Sequence, residues 1–131
     1  PIGLIPGLSL ERQNVTGQIS IQKTTPPSWL VDLGMQPQES YLLSGYTKVL
    51  KENVYQFQLS VSGEVQLYIN GDLIYARKGD SQKMEYIPVT LKPGWHEVNL
   101  RGTFGGKTHL SLAFGGPGTF AVGDRQFHHV P

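Results

Sequence analysis

The chain of 131 residues contains no cysteine. That excludes disulfides and thiolate-bound metals, and it leaves the redox compartment open. Charge is also sparse: Asp, Glu, Lys and Arg make up 16% of the residues and sum to a formal +1. Lysines and arginines form no run, and phosphate binding needs them clustered, so nucleic acid is not an expected partner. No apolar stretch approaches the ~20 residues of a membrane helix, and no signal-peptide pattern occurs, so direct membrane insertion is not expected. The chain opens at Pro1 without a methionine, which predicts a piece cut from a longer protein, with any targeting information carried elsewhere.

Catalytic motifs are missing as well. There is no G-x-S-x-G elbow, no H-E-x-x-H and no paired acidic motif. "GGKT" at 105–108 ends like a phosphate-binding loop, but that loop needs a glycine where Arg101 stands and a helix after it. A hairpin turn explains it better. No enzyme and no cofactor are expected.

What the chain does have is alternation with a period of two, and almost no helical periodicity. Val15, Gly17, Ile19 and Ile21 alternate with polar residues and predict a first strand. Pro26, Pro27, Gly34 and Pro37 mark 24–40 as a loop pinned by Trp29, Leu30, Val31 and Leu33. "YLLSGYTKVL" (41–50) reads as a strand whose Gly45 marks a bulge. Tyr55, Phe57, Leu59 and Val61 then share one face, and Val65, Leu67 and Ile69 form the next inward set. Asn70-Gly71 fits a two-residue type I′ hairpin turn, in which both central residues need positive φ. Residues 65–70 and 71–77 are therefore expected to pair antiparallel. Ile87, Val89 and Leu91 alternate around Pro88, which lacks an amide donor and predicts an edge strand or a bulge. "WHEVNLRG" and "THLSLAF" are further strands, and a short one is expected near Phe120–Val122. About eight to ten short strands at this spacing imply one all-β domain, an antiparallel two-sheet β-sandwich over 1–131.

Four histidines raise the question of metal or acid–base chemistry. His128 and His129 are neighbours, and on a strand neighbours face opposite ways, so they do not converge on one ion. His96 is in phase with Val98 and Leu100 and is expected inside, hydrogen-bonded near a turn, while His109 is expected to face water. Asp72, Asp80 and Asp124 are read as turn residues, and Asn14-Val-Thr16 fits a glycosylation sequon. No metal site is expected.

Aromatics carry more. Sugar rings offer apolar C–H faces that stack on Trp or Tyr, with polar groups fixing the hydroxyls. Trp95 is in phase with Glu97 and Asn99, and Tyr68 with Gln66 and Asn70, so both are expected on a polar outer face. The ligand-binding set read from the residues is Trp95, Tyr68, Asn70 and Asp72. A loop covering either ring would give it a structural role instead.

From residue 41 onward, "VYQFQLSVSGEVQLYING", "LKPGWHEVNL" and "LSLAFGGPG" occur in an order that resembles the PA14 family, the β-sandwich module of anthrax protective antigen. The opening "GLIPGL" resembles that family's N-terminal stretch, and the clearest match covers 41–118. The resemblance implies an extracellular or cell-surface module attached to glycosidases, adhesins or toxins, with a glycan ligand and neighbouring domains as partners. Its sugar-binding members hold calcium on two adjacent aspartates before the "L-Y-I" strand. Here Ser62 and Gly63 stand at those positions and only Glu64 follows, which is a poor oxygen set for calcium. Two functions stay open: a calcium-independent carbohydrate-binding module, or a structural spacer and protein-interaction domain.

Overall fold

Successive side chains on an extended chain point to opposite faces, so alternating apolar residues bury one face of a sheet and leave the other to solvent. The computed structural model describes residues 5–6, 9–13, 19–22, 39–78, 84–104, 110–115 and 128–129. These form eleven strands and no helix. In chain order they are Ile5–Pro6 (β1), Ser9–Gln13 (β2), Ile19–Gln22 (β3), Ser40–Val49 (β4), Asn53–Val61 (β5) and Glu64–Ile69 (β6). Asp72–Arg77 (β7), Glu85–Leu91 (β8), Gly94–Thr103 (β9), Leu110–Gly115 (β10) and His128–His129 (β11) follow.

The strands make two antiparallel sheets. In the larger, β4 has β9 along one side, then β6 and β7. Along its other side lie β2, opposite residues 40–44, and β11, opposite Tyr46. β3 extends β2, and β1 extends β11. The smaller sheet has the order β10-β5-β8. Both sheets feed one core. Leu43, Leu67, Val98 and Leu100 of the large sheet meet Phe57, Leu59, Leu112 and Phe114 of the small one, all buried. Each such side chain contributes on the order of 1.5–3 kcal/mol by leaving water. Phe114 packs against Phe57 at 4.8 Å and Tyr55 at 5.5 Å between ring centres, and Tyr41 packs on Phe104 at 4.8 Å. This is the expected two-sheet sandwich.

The hairpin forms as expected, with φ of 52° at Asn70 and 86° at Gly71. Pro88 lies on β8, at the edge of the small sheet among the described residues. Several details differ from expectation. Gly45 marks no bulge: β4 and β9 pair without a register shift from Ser40 to Val49, and Gly45 faces inward opposite Val98. The irregularity lies between β6 and β7, where Leu67 pairs with Tyr75, Tyr68 pairs with Leu73, and Ile74 is the extra residue. Asp72 is the first residue of β7 rather than part of the turn. β2 was not legible as a strand. Its Arg12 is held by the buried Glu39, with Nε donating to Oε1 at 2.7 Å, while the backbone N–H of Phe104 donates to the Glu39 carbonyl. The count of eleven exceeds about eight to ten because β1 and β11 are two-residue strands. The expectations for residues 14–18, Trp29 to Leu33, Asp80, 105–108, His109, Phe120–Val122 and Asp124 lie outside the described residues.

Candidate functional site

With the apolar face of the large sheet turned inward, registered pairing lays its polar residues out as a grid on the outer face. One row runs Glu11, Leu42, Arg101 and Gln66 across β2, β4, β9 and β6. The row beside it runs Gln13, Ser40, Thr103 and Glu64. On the other side lie Ser9, Ser44, Asn99 and Tyr68. Tyr46 and Glu97 form the next pair, and Lys48 and Trp95 the last.

The first two rows line a cleft of about 330 Å³, within the size range of small-molecule sites. Its walls are the outer strands of the four. β2 contributes Glu11 and Gln13 on one side, and β6 contributes Glu64 and Gln66 on the other. Ser40, Leu42, Arg101, Gly102 and Thr103 lie between them. Three strand spacings of about 4.8 Å set the walls roughly 14 Å apart along the sheet. The floor is tied together by a hydrogen bond between the Ser40 and Thr103 hydroxyls at 3.3 Å. Among the described residues, the Glu11, Gln13 and Glu64 side chains make no hydrogen bond.

Tyr68 borders this cleft. Its hydroxyl donates to Gln66 Oε1 at 3.3 Å, and the Arg101 guanidinium lies over its ring at 5.7 Å. Trp95 shares the outer face, half-buried, with the Lys48 ammonium 5.8 Å from its ring centre. It stands six residues from Arg101 along β9, about 20 Å at ~3.4 Å per residue. Tyr68 and Trp95 therefore flank different parts of one face.

Asn70 is committed to the fold. Its Oδ1 accepts the Glu97 backbone N–H at 2.8 Å, and its own N–H donates to the Glu97 carbonyl at 2.9 Å. The bond at Oδ1 turns Nδ2 toward His96 Nδ1, 2.9 Å away. His96 Nε2 donates to the Lys92 carbonyl at 2.7 Å, which leaves Nδ1 as the acceptor. His96 is thus half-buried at the strand end rather than inside the core, though bonded near a turn as expected. Asp72 is exposed beside the turn. Asn70→Ala is expected to cost about 2 kcal/mol, from the positive φ and the lost side-chain bonds, and Asn70→Gly about half that. Urea unfolding of both variants checks the order.

The segment 61–64, where the resemblance places calcium in sugar-binding members, is held by Arg77. Ser62 is fully buried, and Gly63 adopts a φ of 84°. The Arg77 guanidinium donates to the carbonyls of Val61 and Gly63, the latter at 2.8 Å, and pairs with Glu85. A fixed positive charge on those oxygens opposes a second cation, and Glu64 is the single carboxylate nearby in sequence. Among the described residues no group of three His, Asp or Glu is placed to hold a metal.

The cleft residues Glu11, Gln13, Glu64, Gln66, Arg101 and Thr103 were not read from the sequence as ligand-binding, and Glu64 was weighed only as a poor calcium ligand. Their signal was only that each is polar and out of phase with an apolar neighbour.

The sequence matches no family model and no curated protein. Solved structures do match. The chain superposes over 95% of its length on 99% of a PA14 sugar-binding domain from an RTX adhesin, with a TM-score of 0.66 and 14% identity. It superposes over 99% of its length on 92% of the Epithelial Adhesin 9 A domain from Candida glabrata in complex with Galb1-3GlcNAc, with a TM-score of 0.69 and 10% identity. It also superposes, over 84% of its length, on a β-glucosidase from Kluyveromyces marxianus in complex with glucose, with a TM-score of 0.65 and 21% identity. There it spans 16% of the enzyme's chain. Identities this low carry the fold and not the chemistry, and on that footing the chain is a PA14-like β-sandwich.

Proposed function

We propose that the chain is a non-catalytic, extracellular carbohydrate-binding module of a longer protein, and that it needs no calcium. The observation that carries this reading is the outer face of the large sheet, where an open polar cleft lies beside Tyr68 and in line with Trp95. Aromatic faces take the C–H side of a sugar, and amides, carboxylates and hydroxyls take its hydroxyls. Sugar-binding domains among the structurally similar proteins support the ligand class. Arg77 on the Val61 and Gly63 carbonyls supports calcium independence. Glu11 and Glu64 stand on opposite walls rather than as a set around one bond, which favours binding over catalysis. Trp95 and Tyr68 act as platforms, Asp72 as an exposed polar group, and Asn70 holds the hairpin that carries Tyr68 and Asp72.

Binding on a glycan array is expected to survive EDTA unchanged and to fall at least about tenfold with Trp95→Ala or Tyr68→Ala. Loss of binding on chelation contradicts the calcium-independent reading.

A second reading rests on the other sheet. Val54 and Tyr86 are 52% and 59% exposed on its outer face, with Pro88 between their rows. Such a patch suits docking to a neighbouring domain of the same protein. No binding to any glycan, together with a gain in stability when the adjoining domain is attached, favours this scaffold role.

A further inference from the structure

We propose that the cleft between β2 and β6 is a subsite for an uncharged sugar unit and rejects acidic sugars such as uronates. The inference rests on the carbohydrate-binding reading and assigns that ligand to particular residues.

Each wall presents one carboxylate and one amide: Glu11 with Gln13, and Glu64 with Gln66. A carboxylate offers only acceptors, whereas an amide offers both donors and acceptors. A ring bearing hydroxyls on opposite sides meets both requirements, because each hydroxyl donates one bond and accepts others. The floor is mixed. Ser40 and Thr103 carry hydroxyls, and Leu42 is apolar. Glu11, Gln13 and Glu64 make no hydrogen bond among the described residues, so their capacity is uncommitted.

Charge decides the class of sugar. Two carboxylates face one guanidinium in the cleft, for a net charge of −1. The guanidinium of Arg101 also lies over the Tyr68 ring, which draws its charge toward one edge of the space. An anionic sugar carboxylate would meet Glu11 or Glu64 whichever way it entered, and like charges at close range are strongly disfavoured. A metal bridging the walls is disfavoured too: calcium needs oxygens at ~2.3–2.6 Å, and the walls stand roughly 14 Å apart along the sheet.

The test uses titration calorimetry of the chain with short neutral oligosaccharides and with uronate oligosaccharides of equal length. Binding of the neutral ligands is expected, with uronates weaker by at least about tenfold. Gln13→Ala and Glu64→Ala are each expected to weaken neutral binding by about five- to tenfold, with Thr90→Ala on the other sheet as control. The double substitution Glu11→Gln with Glu64→Gln is expected to narrow the uronate penalty several-fold while the melting temperature stays level. That gain of binding is not available to a variant that merely fails to fold. Uronates binding as well as neutral sugars, or neutral binding indifferent to all cleft substitutions, overturns this assignment while leaving the carbohydrate reading standing. Binding of neither class overturns both.

Discussion

Gly102→Ala is expected to lower the melting temperature by at least about 10 °C, the equivalent of at least about 3 kcal/mol in a domain of this size. A β-carbon on Gly102 would stand 2.0 Å from the Glu64 carbonyl oxygen and 2.8 Å from the Tyr41 hydroxyl. Neither neighbour gives way easily. The Glu64 carbonyl belongs to the backbone of β6, which carries Val65, Leu67 and Ile69 into the core. Tyr41 is buried against Phe104, and burial also pushes its phenol far above its ordinary titration range. β6 must therefore move away from β9, which loosens both the core and the cleft wall. Gly71→Ala supplies the contrast. It meets no atom within 4 Å and suffers only its φ of 86°, about 1–2 kcal/mol. Thermal unfolding of the two variants separates crowding from backbone conformation. Equal small losses would show that β6 yields at little cost.

Arg77→Met is expected to destabilise the fold by about 3–5 kcal/mol, because it leaves partners of a mostly buried charge without it. The Arg77 side chain is 16% exposed and that of Glu85 19%. Arg77 belongs to the large sheet, whereas Glu85 and Val61 belong to the small one. One side chain thus ties the layers together at this end of the sandwich. Methionine keeps most of the aliphatic stem and removes only the charge and its donors. Adding Glu85→Leu to Arg77→Met is expected to return part of the loss, since no uncompensated carboxylate then remains. Urea unfolding of the single and double variants measures both steps. Millimolar calcium is expected to restore neither, and recovery of the single variant by calcium would mean that the 61–64 segment accepts a cation after all.

The inward half of this molecule was legible because the pleat writes it into the chain. Leu67, Leu100 and Leu112 sit in phase with apolar neighbours, and each lands in the core. Asn70-Gly71 was legible for a similar local reason, since positive φ at two successive positions narrows the choice of residues. Phase alone misleads near strand ends. His96 follows the inward phase of Val98 and Leu100, but the core has run out there and the ring turns to Asn70 and Lys92 instead. Gly45 looked like a bulge because glycine is unfavourable in strands, yet β4 passes through it in register. The actual irregularity, at Ile74, is an apolar residue within an ordinary strand pattern.

Trp95 and Tyr68 were visible as outward aromatics, one residue at a time. The cleft was not. It exists because residues 11, 42, 66 and 101 share a row across four strands, and that row depends on pairings between distant parts of the chain. Glu39 and Arg12 escaped notice for the same reason, as neither belongs to a local pattern that predicts the other.

Pro88 carries a last consequence. It pairs opposite Gln56 on β8 and has no backbone N–H to donate. The donor it lacks is one that an ordinary residue at this position would point away from the sheet. The rim of the small sheet is thus interrupted midway, and a strand from another molecule finds no continuous ladder to zip onto. Copies pressed together at the β8 edge would find it a poor seam for fusing into fibrous stacks.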